Sequence, residues 1–513
     1  MNGHESRVKK TLLNAKVNFV FYLIALVLSF FSRKLFLDCL DANFVGLTGT
    51  LNNILGYLNL AELGIGAAIS YYLYKPIQEC NKKKIIDLVS LFGYYYRNIG
   101  IIVLSIAIII SIFFPTIFRN SGFSLGIIYF AFYSFLMSSL IGYFANFRQI
   151  LLNADQRSYV VAAYYQTGAI LKTIVQMIVA YKYANYYAWV AIEFSFGIIY
   201  SIILNYKIDQ VYPWLKCSIK YGKSQAKVYP DILNSTKQIF IHKLKDFALK
   251  QSDQLFIFAF VSLKMVAYYG NYTLVISKLT TFFGTLIDSV GASIGNLVAE
   301  GNADRIFKVF WEISALRYFI SGIICFSTYN LIQPFIILWL GNEYLLSDEI
   351  LYLLLTTEFI YGTRGTIDNF NFAYGHYADI WAAWTEGIIN ICVTIVCGYF
   401  FGISGILIGK LASMVPIIVF WKPLYLFKYG FKKPYLLYWK NTVKYYIIFI
   451  ICTSIINFLI KFVPINPILS YGWWITYACI CSGGFILLYL CTMIWFGPGG
   501  KDLIHRLPIL NKL

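Results

Sequence analysis

From Asn14 to Phe496 the chain repeats one unit, about twenty or more apolar residues followed by a short polar break. A helix rises about 1.5 Å per residue, so about 20 such residues cross the hydrocarbon of a bilayer. About fourteen windows of this kind can be marked, the first over residues 14–40 and the last over 470–497. Lipid offers backbone groups no hydrogen-bond partners, and the windows lack the period-two alternation of barrel strands, so each is expected to be a helix. The expected fold class is therefore all-α, a polytopic integral membrane protein.

Only 13% of the 513 residues are charged, against 59% apolar. A water-exposed surface needs roughly twice that charge, which excludes a soluble enzyme. The net charge of +18 would suggest nucleic acid in a soluble protein. Here most of it lies in loops beside helix ends, facing anionic lipid, and no nucleic-acid partner is expected. Ten cysteines are scattered, mainly through apolar runs, without metal-ligand spacing.

Lys and Arg gather at every second break, among them Lys82–Lys84, Arg148 with Arg157, Lys216 to Lys227, and Lys428 to Lys440. This asymmetry predicts that both termini are cytoplasmic. The longest basic break divides the chain into an N-lobe of six spans (1–207), a linker (208–232), a C-lobe of six spans (233–428) and a trailing pair with a tail (429–513). Val45–Gly49 can be laid over Val266–Gly270, and Gly66–Ile69 over Gly291–Ile294, which suggests two parallel repeats; coincidence of small residues gives the same match.

A charged group at the centre of a membrane helix costs about 2.5–3.5 kcal/mol even on insertion scales, so such groups are candidates for function. The first twelve spans hold Arg33, Lys34, Glu62, Arg97, Lys172 and Glu193, then Lys243, Lys245, Asp246, Lys250, Asp253, Lys278, Asp288, Arg317, Glu358, Arg364, Asp368, Glu386 and Lys410. Lys243, Asp246, Lys250 and Asp253 follow at helical spacing and form a ladder that can line a wet path or neutralise itself. Cations in excess attract an anionic ligand, and a phosphate or diphosphate suits Arg33, Lys34, Arg97, Lys172, Lys278 and Arg364. Two alternatives stay open: Arg364 can pair with Asp368 four residues on, and Arg33 with Lys34 can anchor a helix end. The glycines in Glu62–Gly66 and Gly402–Gly405 allow bending or close helix packing.

The segments Leu60-Ala61-Glu62-Leu63-Gly64-Ile65-Gly66, Tyr74-Lys75-Pro76, His242-Lys243 leading to Ser252-Asp253, and Tyr269-Gly270-Asn271-Tyr272 resemble the polysaccharide flippases of the multidrug/oligosaccharidyl-lipid/polysaccharide (MOP) exporter superfamily. So do Ser293-Ile294-Gly295-Asn296, Pro334 to Gly341, and Glu386-Gly387-Ile388-Ile389-Asn390, in order from span one to span twelve. The resemblance implies two six-helix lobes plus two extra helices around a cationic cavity that opens alternately to each side. It implies a substrate, an undecaprenyl-diphosphate-linked oligosaccharide repeat unit, flipped to the outer leaflet of the bacterial cytoplasmic membrane for O-antigen, capsule or exopolysaccharide assembly. A glycan polymerase and a chain-length regulator are the expected partners, besides membrane lipids.

By resemblance, Arg33, Glu62, Asp253 and Arg364 match the family's charged positions in helices one, two, seven and ten. The sequence departs from the family at Gly270 and at Lys410. The expected binding set is Arg33, Lys34, Arg97, Lys172, Lys250, Lys278 and Arg364, with proton or sodium coupling at Glu62 or Asp253. No cofactor or metal is expected. A drug antiporter of the same superfamily would want an acidic, aromatic cavity. A glycan polymerase or acyltransferase would carry acidic or His groups on a large outer loop, which this chain lacks.

Overall fold

The computed structural model describes residues 7–59, 65–155, 158–230, 252–288, 291–375 and 380–506. Among these no strand occurs. The helices are α1 (Arg7–Leu40), α2 (Ala42–Leu58), α3 (Ile65–Gln78), α4 (Lys82–Ile112), α5 (Phe114–Ile117), α6 (Leu125–Phe144) and α7 (Gln149–Ala154). They continue with α8 (Ser158–Tyr183), α9 (Tyr186–Val211), α10 (Ile219–Gln225), α11 (252–260), α12 (Leu263–Asp288) and α13 (Gly291–Glu300). The series ends with α14 (Ala303–Trp339), α15 (Asp348–Ala373), α16 (Ile380–Met414), α17 (Lys422–Tyr425), α18 (Tyr435–Ile460), α19 (Tyr471–Phe496) and α20 (Gly500–Arg506).

The polar breaks start helices by capping them. The side chains of Asn81, Ser124, Asn185, Asn302 and Ser470 each accept from a backbone N–H of the first turn, which satisfies one of four otherwise unpaired donors. Eight helical stretches among the described residues are long and apolar enough to cross a membrane. One of them, Trp381–Gly430, bends at Gly402 (φ +57°) and holds two spans. There Thr394 lies against Gly409 and Cys397 against Gly405, so the chain has turned back on itself. Beyond the turn, Pro416 and Pro423 lack the N–H an α-turn needs, and π-turns occupy Val415–Trp421 and Leu426–Gly430. Helices α8, α12 and α15 have spanning length but fall outside that apolar set, and these carry Lys172, Lys278 and Arg364. The chain is a multi-pass membrane protein.

Packing divides the chain into two compact units, Met1–Phe258 with Ser262–Ala267, and Ala259–Val261 with Tyr268–Leu513. In the first, α1 packs on α8, α6 on α9, and α8 on α9, around buried Leu47, Leu51, Leu88, Val103, Phe132 and Leu204. Gly46 lets α2 touch the backbone at Leu263: a Cβ there would lie 1.9 Å from its carbonyl oxygen. In the second unit α14 packs between α15 and α19, and α18 packs on α19. The Tyr489 ring sits over Gly322 while its hydroxyl donates to the Tyr318 carbonyl, and Phe326 stacks on Phe485 at 3.9 Å.

Candidate functional site

In the first unit, Arg33 is part-buried on α1 and its Nη2 donates to the Ala267 carbonyl at 3.1 Å. Lys34, one residue on, is half-exposed and lies 3.8 Å from Asp38, about a helical turn and a half from the end of α1. That position suits a helix-end anchor. Arg97, in the body of α4, is exposed and has no hydrogen-bond, ion-pair or ring partner among the described residues.

Lys172 on α8 does not stand open to a ligand. Its Nζ donates to Glu193 Oε1 on α9 at 2.5 Å, and Gln176 Nε2 donates to the other carboxylate oxygen at 3.1 Å. The physical reason is cost: two charges at this depth are tolerable together where either alone is not.

Asp253, on α11, is 5% exposed, with Tyr57 beside it and Ser252. Its neighbour Gln254 accepts from Asn53 Nδ2 at 2.6 Å, and Asn53 also donates to the Gly49 carbonyl. Asn53 thereby ties α2 to α11. Glu62, Lys245 and the rest of the ladder, Lys243, Asp246 and Lys250, lie outside the described residues.

In the second unit Arg364 bonds Asp368 at 3.1 Å, the i,i+4 pairing that the spacing allowed. Its guanidinium also lies 4.7 Å from the centre of the Tyr361 ring, and Lys410 Nζ lies 5.8 Å from the same centre. Arg364 and Lys410 therefore converge from two helices on one aromatic ring. Lys410 is 6% exposed, and Glu386, on the arm of α16 before the Gly402 turn, is fully buried. On α14, Glu312 and Arg317 are also buried, and the Arg317 guanidinium rests against Gly365, where a Cβ would lie 2.3 Å from Nη1. Lys278 is part-buried on α12. Of the expected binding set, the structure thus joins Arg364 to a cation and a ring that the set omitted. Tyr361 precedes Arg364 by three residues, so the shared helix face was the available signal. Among the described residues no group of three or more His, Cys, Asp or Glu is placed to hold a metal ion.

No family model and no curated protein matches the chain. Solved structures do. A lipid II flippase, MurJ, in an inward closed conformation shares 16% identity with a TM-score of 0.64, covering 96% of this chain and 100% of that one. An inward-facing multidrug resistance MATE family transporter of the MOP superfamily shares 13% identity with a TM-score of 0.58, covering 81% of this chain and 99% of that one. The chain has the all-helical fold of these MOP-type transporters.

Proposed function

We propose that this chain is a flippase that carries an undecaprenyl-diphosphate-linked oligosaccharide repeat unit from the inner to the outer leaflet of the bacterial cytoplasmic membrane, both termini being cytoplasmic. The observation that carries the reading is the convergence of Arg364 and Lys410 on Tyr361 within membrane helices. Two cations beside one ring attract an anionic headgroup, and an aromatic face can stack on a sugar. Sugar hydroxyls lose their water in hydrocarbon, so a polar path through the protein removes the main barrier. The likeness to a lipid II flippase over 96% of the chain supports a lipid-linked substrate. Arg33 and Arg97 in the first unit, and Lys278 in the second, would add positive potential. Asp253 would bind the coupling proton or sodium ion.

A second reading, a drug transporter, is favoured by the likeness to the multidrug transporter. One experiment separates the two. Purified protein in liposomes is given a fluorescent lipid-linked oligosaccharide, and leaflet exchange is followed with and without proton and sodium gradients. The expected result is gradient-driven exchange that R364Q/K410Q abolishes. Exchange absent while a cationic dye is transported would favour the second reading. Undiminished, still gradient-dependent exchange by D253N would remove Asp253 from coupling.

A further inference from the structure

Between α9 and α11 the chain carries a feature that the transport path does not use. Helix α10 is seated on the first turns of α4 by three contacts: Ser218 N–H donates to Ser90 Oγ at 3.3 Å, the Tyr221 hydroxyl donates to Asp87 at 2.7 Å, and Gly222 lies on the Ser90 carbonyl. A Cβ at Gly222 would come within 2.0 Å of that oxygen, so the seat needs glycine. The docking fixes a helix that carries Lys220 and Lys223, flanked in sequence by Lys216 and Lys227, against the helix that begins with Lys82 and Lys83. All six are exposed, and none forms an ion pair among the described residues. Lys82 lies 5.7 Å over the Trp214 ring, and Trp214 with Tyr221 gives the patch the aromatic character of a membrane interface. Asp87 faces α10, and the Tyr221 hydroxyl occupies one of its oxygens.

We propose that the α10–α4 corner is a built binding site for anionic phospholipid headgroups, distinct from the diffuse attraction of loop charge to the membrane surface. Cations carried on and beside a helix that is seated on α4 meet several phosphates with less of the ordering cost a floppy loop would bear.

The test is native mass spectrometry of the detergent-purified full chain with phosphatidylglycerol, phosphatidylcholine or inorganic pyrophosphate added. Retention of phosphatidylglycerol over phosphatidylcholine is expected, lost in high salt. K216Q/K220Q/K223Q/K227Q should weaken it by roughly 600-fold, at roughly fivefold per lysine. D87A decides between a built site and diffuse charge. It removes a negative charge, so diffuse attraction predicts tighter retention, whereas loss of the Tyr221 tether predicts weaker retention. G222A, which keeps every charge, should also weaken retention. Retention unchanged in the quadruple variant, or raised in D87A, overturns the proposal, as does equal binding of pyrophosphate, which would make the ligand a free polyphosphate.

Discussion

Replacing Lys172 by Leu tests whether charges at membrane depth in the first unit are held as pairs. At 2.5 Å from Glu193 and an effective dielectric of about 20, the attraction is about 6–7 kcal/mol before desolvation. Removing one member of a buried pair costs about 3–5 kcal/mol, because the remaining charge keeps its desolvation penalty. The two side chains are 23% and 24% exposed, which places the expected loss near the lower end, about 3 kcal/mol. For a body of this size that is a fall of roughly 6–10 °C in the midpoint of thermal unfolding. The assay is a thiol-reactive fluorescence melt of the purified protein. K172L/E193L should recover most of the loss, since an apolar pair costs nothing in lipid and Gln176 keeps its bond to the Trp189 carbonyl. A single variant that melts within about 2 °C of the parent would refute the pairing argument, as would a double variant as damaged as the single.

G405A should destabilise the second unit by about 3 kcal/mol or more, because its Cβ would lie 1.9 Å from the Cys397 carbonyl oxygen; G387A, with open space around it, should be neutral or slightly stabilising in the same melt. G322L should displace the Tyr489 ring and lower the melting midpoint, with Y489F losing only the bond to the Tyr318 carbonyl, about 1 kcal/mol. Cys217, in the loop before α10, has its thiol pushed up to about 11, chiefly by burial. Burial favours the neutral form, so at pH 8 about one thiol in a thousand is thiolate. Maleimide labelling of Cys217 should be slow at pH 8 and rise about tenfold per pH unit toward 11, read by mass spectrometry of the labelled peptide.

Much of the fold was legible because lipid allows one solution per apolar run. The Gly402–Gly405 cluster, expected to allow bending or close packing, carries both the bend and the close approach. The site was less legible. Arg364 and Asp368 stand four apart on one helix, so their pairing could be foreseen. Lys172 and Glu193 stand on different helices, and nothing local says that α8 and α9 bring them together. The same holds for Lys410, which meets Tyr361 across from another helix. Lys172 and Arg364 stand on helices outside the apolar set, whereas Lys410 stands in the most apolar stretch of it, so the spanning signal does not by itself mark the positions most worth finding.

The α18–α19 pair is fastened to α14 in a way that has a consequence for assembly. Oily surface gains little by meeting other oily surface inside a bilayer, so the pair is held by ring stacking and by Trp474, Tyr471 and Tyr489, which donate to the carbonyls of Leu331, Leu338 and Tyr318. Those carbonyls belong to a helix already complete without them. The hairpin is therefore a separable module, and a chain cut near Pro434 and supplied with its missing portion as an independent polypeptide should reassemble in the membrane.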